Sequence, residues 1–180
     1  KPLTTEKKKG HSNELRVEKW KWFSLKEISN AYTGDDLILS MVDDGEIPVA
    51  SHKVENNGVG AMVDKIDNRQ LFDCEKTIAL ADRGCFHASV QTEDFYIGTR
   101  VKALEMKCCV SKGVLIFIAT IVNQETFKYS YGRNCTAGVE NVRIKLPVKH
   151  NDDGIIFIDD EHTYSDEGYV PDWQFMENYI

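Results

Sequence analysis

Lys112-Gly113-Val114-Leu115-Ile116-Phe117-Ile118-Ala119-Thr120-Ile121-Val122-Asn123 is the stretch on which the fold class turns. It is twelve residues long, apolar nearly all round and preceded by Ser111. A strand of that length is unusual, and a serine before an apolar run is a helix N-cap, so the segment predicts a buried helix with Ser111 at its start. Its surroundings have the opposite character. From Gly45 to Leu146, short β-prone runs alternate with Gly, Asn and Asp turns, giving strand candidates at Ile47–Ala50, Gly60–Val63, Thr77–Ala81, Phe86–Val90, Thr99–Leu104 and Val142–Leu146. The expectation is an α/β fold of the α+β kind: a mixed, mostly antiparallel sheet of short strands with a few packed helices.

Further out, Ser24 and Glu27 match a capping box and predict a helix from Leu25 to Ala31, ended by Tyr32-Thr33-Gly34-Asp35. Downstream of Pro147 an apolar run, Ile155–Ile158, predicts one more strand, and Pro171-Asp172 open a final helix that is cut off at Ile180. Residues 1–14 are polar and patternless and are expected to be a tail or linker. Residues 15–149 then form the main domain, and residues 150–180 an acidic loop and the start of the last helix. A first residue other than Met and a truncated last helix suggest a piece of a longer polypeptide.

Of the 180 residues, 42% are hydrophobic, enough for a core, so the chain folds. Its longest apolar run, Val114–Val122 interrupted by Thr120, falls short of the roughly 20 residues a bilayer requires, and no apolar segment follows Lys7, Lys8 and Lys9 to make a secretory signal. A cytoplasmic protein is expected. Five cysteines, an odd number without zinc-knuckle spacing, are read as reduced, core-filling thiols. The net charge of −7 argues against a polyanionic partner until its distribution is seen. Residues 150–180 hold nine acidic side chains and no Lys or Arg, leaving 22 basic against 20 acidic in the rest, and residues 1–33 hold eight basic against four acidic. No segment is basic enough to diagnose nucleic-acid binding by charge.

The signatures of an enzyme are absent: there is no Gly-rich phosphate loop, nucleophile elbow or His-Glu-x-x-His pair. Cys85 and His87 would share a strand face and form a conceivable thiolate–imidazole pair for a small hydrolase, although a packed face is the simpler reading. Asp159, Asp160, Glu161 and His162 could bind a hard cation, or else form a solvated acidic loop. No metal site is assigned.

Three polar segments carry a binding reading instead. Ile47 to Gly60 runs from a strand into a loop bearing Ser51, Lys53, Asn56 and Asn57, with Asn57-Gly58 as a tight turn. Gly84 to Gln91 places His87, Ser89 and Gln91 alternately on one strand face. Lys128-Tyr129-Ser130-Tyr131-Gly132-Arg133-Asn134 offers Lys128 and Arg133 to phosphates and Tyr131 to a sugar. Amide, hydroxyl, imidazole and cationic groups of this kind hydrogen-bond base edges. Each segment alone also suits an ordinary solvated turn or edge strand.

Taken in order, the motifs resemble a known family. Trp22-Phe23-Ser24-Leu25-Lys26-Glu27-Ile28, the Pro48 to Gly58 segment with its Asn-Asn-Gly, Thr77 to Gly84, Tyr129 to Arg133, Ile144 to Pro147 and the ending Pro171 to Ile180 are similar to the target-recognition domain of type I restriction specificity subunits and their BcgI-like, type IIG relatives. The resemblance covers roughly residues 15–180. It implies a non-catalytic domain that reads part of a double-stranded DNA target, followed by a helix that packs on a methyltransferase or restriction subunit or fused domain. S-adenosylmethionine and Mg2+ are expected on that partner, with no cofactor in this chain. Recognition residues in the family vary with the target, so the DNA-binding candidates are placements on polar loops and faces: Ser51, Lys53, Asn56, Asn57, Arg69, His87, Ser89, Gln91, Lys128, Tyr131 and Arg133. A protein–protein interaction module, with the acidic segment against a basic partner, is the alternative.

Overall fold

The computed structural model describes residues 15–129, 133–135 and 138–180. The expected tail, residues 1–14, and Tyr131 lie outside them.

The stretch around Ser111 is a helix. α2 spans Lys112–Asn123 and is capped by the Ser111 hydroxyl, which accepts the Val114 amide at 3.3 Å. Its β-branched residues each cost a few tenths of a kcal/mol in helix propensity. Burial of Val114, Leu115, Phe117, Ile118, Ala119 and Val122 outweighs this, since a large apolar side chain taken out of water contributes about 1.5–3 kcal/mol.

α2 lies on a four-stranded antiparallel sheet of order β2-β8-β5-β6, made of Ser29–Thr33, Val101–Met106, Thr77–Ala81 and His87–Val90. β5 is buried along its whole length. Ile78 and Leu80 point into the core beneath α2, with Leu104, Met106 and Ala88 from the flanking strands. Ala79 and Ala103 point to the other side, into a second cluster with Ala50, Phe72, Phe95 and Ile97. A strand covered on both faces reads as an uninterrupted apolar run, as Ile78–Ala81 of β5 does. Small residues on the second face let another sheet approach. That sheet has the order β4-β3-β7, with β3 (Asp44–Ala50) antiparallel to β4 (Val59–Val63) and parallel to the two-residue β7 (Tyr96–Ile97). Where the loop after β2 passes this sheet, a Cβ on Gly34 would fall 2.3 Å from the Gly98 carbonyl oxygen, so only glycine fits.

A two-stranded clasp completes the body. β1 (Lys21–Ser24) pairs antiparallel with β9 (Arg143–Leu146), setting Lys21 opposite Leu146 and Trp22 opposite Lys145. Phe23 and Ile144 point inward from it and are fully buried.

Several expectations need correction. The helix predicted for Leu25–Ala31 is a single turn, α1 (Leu25–Ile28). The Glu27 carboxylate accepts the Ser24 amide as a capping box requires, but Ser29 is extended, its hydroxyl donates to the Leu25 carbonyl, and the chain leaves as β2 to pair with β8. The strand expected from Phe86 begins one residue later, and the one expected from Thr99 begins at Val101. Ile155–Ile158 makes only isolated bridges, His150 with Ile156 and Ile158 with Tyr169. β1 and β7 were not anticipated. The acidic C-terminal segment is packed on the main core: Met176 of α3 (Trp173–Tyr179) is fully buried in it, and Tyr164, Tyr169, Trp173 and Phe175 lie against it.

Candidate nucleic-acid interface

Three chain segments converge beyond one end of the sheets. The first is the loop from Ser51 to Gly58 between β3 and β4. It is not a two-residue hairpin turn but an eight-residue loop, closed by a Ser51 amide bond to the Gly58 carbonyl at 2.8 Å and a Ser51 hydroxyl bond to the same oxygen at 3.0 Å. Asn56, Asn57 and Gly58 are all left-handed, with φ of 50°, 52° and 78°. Asparagine is the side-chain-bearing residue that tolerates this region best, and glycine occupies it freely, which is the physical reason for Asn-Asn-Gly here. The second segment is the Asp82–Phe86 turn, tied to the first by the Cys85 thiol, which donates to the His52 carbonyl at 3.3 Å. The third is Arg133–Cys135: the Asn134 side-chain oxygen accepts the Gly84 amide at 3.3 Å, and the Cys135 amide bonds the Asp82 carbonyl at 3.1 Å.

Beneath the junction Asp82 is buried beside Lys102 (3.6 Å), and the Lys102 ammonium also donates to the Thr33 hydroxyl at 2.8 Å. A buried charge pair fixes the base of the loops, while Lys53, Arg83 and Arg133 are exposed above it. A cleft of about 200 Å³, lined by Leu37, Val49, Ser51, His52, Lys53, Gly60, Ala61, Gly98 and Thr99, opens beside the first loop.

The sequence-derived candidates divide into two kinds. Lys53, Asn56 and Arg133 have exposed side chains in these segments. Ser51, Asn57, Ser89 and Gln91 are engaged in holding the loop. The Asn57 amide donates to the Val90 carbonyl at 2.8 Å, and the Gln91 amide donates to the Asn57 carbonyl at 3.0 Å and the Ser89 hydroxyl at 2.9 Å. Gln91 is 2% exposed and Ser89 6%, so neither offers its polar atoms to a ligand in this arrangement. His87 shares the face of Ser89 and is half-buried, and burial pushes its pKa below the ordinary value. Arg69 is elsewhere: its guanidinium donates to the carbonyls of Asp35, Asp36 and Ile97 at 2.9, 3.4 and 2.7 Å, stapling the 35–36 loop to the end of β7. Lys128 pairs with Glu125 and faces Trp22. Tyr129 is a packing residue, stacked on Phe86 at 4.4 Å, with its hydroxyl pushed up to about 12 by burial.

The sequence reading missed Arg83. An arginine immediately before a glycine that bends the chain, Gly84 at φ 79°, is the signal that could have drawn it out.

The conceivable catalytic pair is not an activated one. Burial raises the Cys85 pKa, which disfavours the thiolate, and its thiol is directed at the His52 carbonyl. In the acidic loop Asp159 accepts the Glu161 and Thr163 amides at 3.2 and 3.0 Å. The Thr163 side chain and those bonds hold its pKa down, so the carboxylate caps a turn. Asp73, Cys74 and Asp94 approach within 4.8 Å, but Asp73 and Asp94 accept the Glu75 and Cys74 amides, and the Lys112 ammonium lies 3.9 Å from the Cys74 sulfur. Among the described residues no helix is long and apolar enough to cross a membrane.

No family model matches the sequence. A curated relative, the BcgI type II restriction enzyme specificity subunit of Heyndrickxia coagulans, is 26% identical over 135 residues, covering 74% of this chain and 34% of the relative. Solved structures of similar fold include the type I restriction-modification S subunit of M. genitalium (TM-score 0.52, 14% identity, 71% of this chain and 34% of that one). The HsdS subunit of Thermoanaerobacter tengcongensis gives a TM-score of 0.55 at 14% identity over 77% and 36%. A chain from a structure describing complex assembly and conformational transition of the type I restriction-modification system gives 0.54 at 16% identity over 76% and 36%. The chain thus spans about a third of the length of the relatives it matches. Its α+β fold is the one these S subunits contain, and the comparisons meet the resemblance carried by the ordered motifs.

Proposed function

We propose that this chain, which has the fold of part of a restriction-modification S subunit, recognises part of a DNA target within such a system. In this reading it is the non-catalytic specificity component, and methylation and cleavage, with S-adenosylmethionine and Mg2+, belong to a partner subunit or domain. The observation that supports it most is the convergence of the 51–58 loop, the 82–86 turn and Arg133-Asn134 at one end of the sheets, with Lys53, Arg83 and Arg133 exposed on a braced base. Cations of this kind set register on phosphates, and the neighbouring polar groups at Asn56 and His52 are of the types that bond base edges. The net charge of −7 does not oppose this, because the acid is concentrated in residues 150–180, away from these loops in the chain.

The test is selection from a random duplex pool by the chain, alone and with its methyltransferase partner, followed by sequencing and by titration over salt. Enrichment of a short motif with affinity falling as salt rises is the expected result. Retention of no motif under either condition overturns the reading and favours a protein-interaction module.

A further inference from the structure

The clasp formed by β1 and β9 carries a second group of cations, separate from the converging loops. Trp22 projects from its outer face and is 41% exposed. Around the indole stand Lys145, directly across the ladder with its ammonium 5.4 Å from the ring centroid, Arg143 at 5.8 Å and Lys128 at 6.0 Å. Phe127, 73% exposed, lies beside Lys128, and the carboxylate of Glu125 pairs with Lys128. Three cations around one exposed ring repel one another. The ring quadrupole offsets only part of that repulsion at an exposed site, and one carboxylate cannot neutralise the set. An extended line of anionic charge completes it.

We propose that Trp22, Arg143 and Lys145 form a platform for the phosphodiester backbone of duplex DNA, flanking the sequence read by the loops. The proposal rests on the DNA-recognition reading and deepens it. The 3₁₀ turn Gln124–Lys128 joins the two regions. Thr126 donates to the Phe86 carbonyl at 3.0 Å, Tyr129 stacks on Phe86, and Lys128 faces Trp22, so the platform adjoins the 82–86 turn through a single packed segment. Arg143 and Lys145 are one strand repeat apart and point outward from the same face, while Ile144 between them is fully buried. That spacing presents a row of charge along one flat strand face beside an indole, an arrangement that follows a line of phosphates and does not enter a groove. The platform therefore contributes affinity and register without sequence preference.

The experiment compares the wild-type chain with R143Q/K145Q, measuring duplex affinity across a salt titration from about 50 to 200 mM and repeating the pool selection. Each phosphate that a cation neutralises contributes about 0.9 to the slope of log affinity against log salt, so the double variant is expected to give a slope shallower by about 1.8 while enriching the same motif. R143K/K145R retains the charge and is expected to retain the slope. A wild-type slope in R143Q/K145Q, with motif selection intact, overturns the platform and leaves the loop reading standing. Failure of the wild-type chain to enrich any motif overturns both. Binding of the wild-type chain to an acidic protein in place of DNA, abolished in R143Q/K145Q, would overturn the DNA assignment and give the platform to that partner.

Discussion

Replacing Gln91 by Leu separates a side chain that reads a ligand from one that holds the reader. Gln91 has a suitable chemistry for adenine and sits in a row of polar side chains, yet it is buried, and its amide group bridges the Asn57 carbonyl and the Ser89 hydroxyl. Leucine fills a similar volume and removes both bonds. A net intramolecular hydrogen bond is worth about 1 kcal/mol, and a buried hydroxyl left without its partner costs about 1 kcal/mol more, while the Asn57 carbonyl, in an exposed loop, regains water. The expected loss is about 2 kcal/mol, which for a chain of this size lowers Tm by about 4–8 °C. Lys53→Gln is the counterpart, with Tm unchanged and about 0.9 removed from the salt slope of DNA binding. Thermal melting followed by calorimetry or circular dichroism, together with the pool selection, reads both variants. Gln91→Leu is expected to enrich the wild-type motif with weakened affinity. Unchanged Tm with an altered motif would refute the reasoning and return Gln91 to the reading surface.

Lys102→Met strands the buried Asp82 carboxylate and breaks the Thr33 bond, so a loss of at least about 3 kcal/mol is expected in denaturant unfolding, with partial recovery on adding Asp82→Asn. Gly34→Ala forces a Cβ against the Gly98 carbonyl and is expected to lower Tm by several degrees, whereas Gly154→Ala, which has open space around it but a φ of 83°, pays only for its backbone. For His87, burial lowers the folded-state pKa below the unfolded value near 6.5, so the unfolded state binds the proton more readily. Stability is therefore full above that pH, falls as pH drops through about 6.5, and levels off below the folded pKa. His87→Gln should flatten this part of the stability–pH curve, and an unaltered curve would show that another group is responsible.

What the sequence disclosed, and what it withheld, follows from the range of the interactions. The α2 helix was legible because twelve contiguous residues and one capping serine define it, and β5 because burial on both faces leaves an unbroken apolar run. β1 and β7 were not, since four and two residues carry no period of their own and exist only through partners far away in the chain. The overlong helix expected at Leu25 has the same cause: local capping favoured continuation, while pairing of Ser29–Thr33 with β8 overrode it. At the candidate site, residue types located the loops correctly as polar and glycine-bent. They could not separate Asn56 from Asn57, because the bonds that commit Asn57 run to Val90 and Gln91, 33 and 34 positions away. The placement of Arg69 was hidden for a similar reason, as its three carbonyl partners come from the 35–36 loop and the end of β7, 28 to 34 positions away.

The clasp between β1 and β9 has a consequence for exchange between proteins. Because Lys21 and Leu146 face each other across one ladder, roughly 5 Å apart as paired strands are, everything between them leaves and rejoins a host at a single point. A substitute body of any internal length that ends in the same pair of strands would leave and rejoin at that point, provided that it also offers the apolar face on which Trp20 and Met176 are buried.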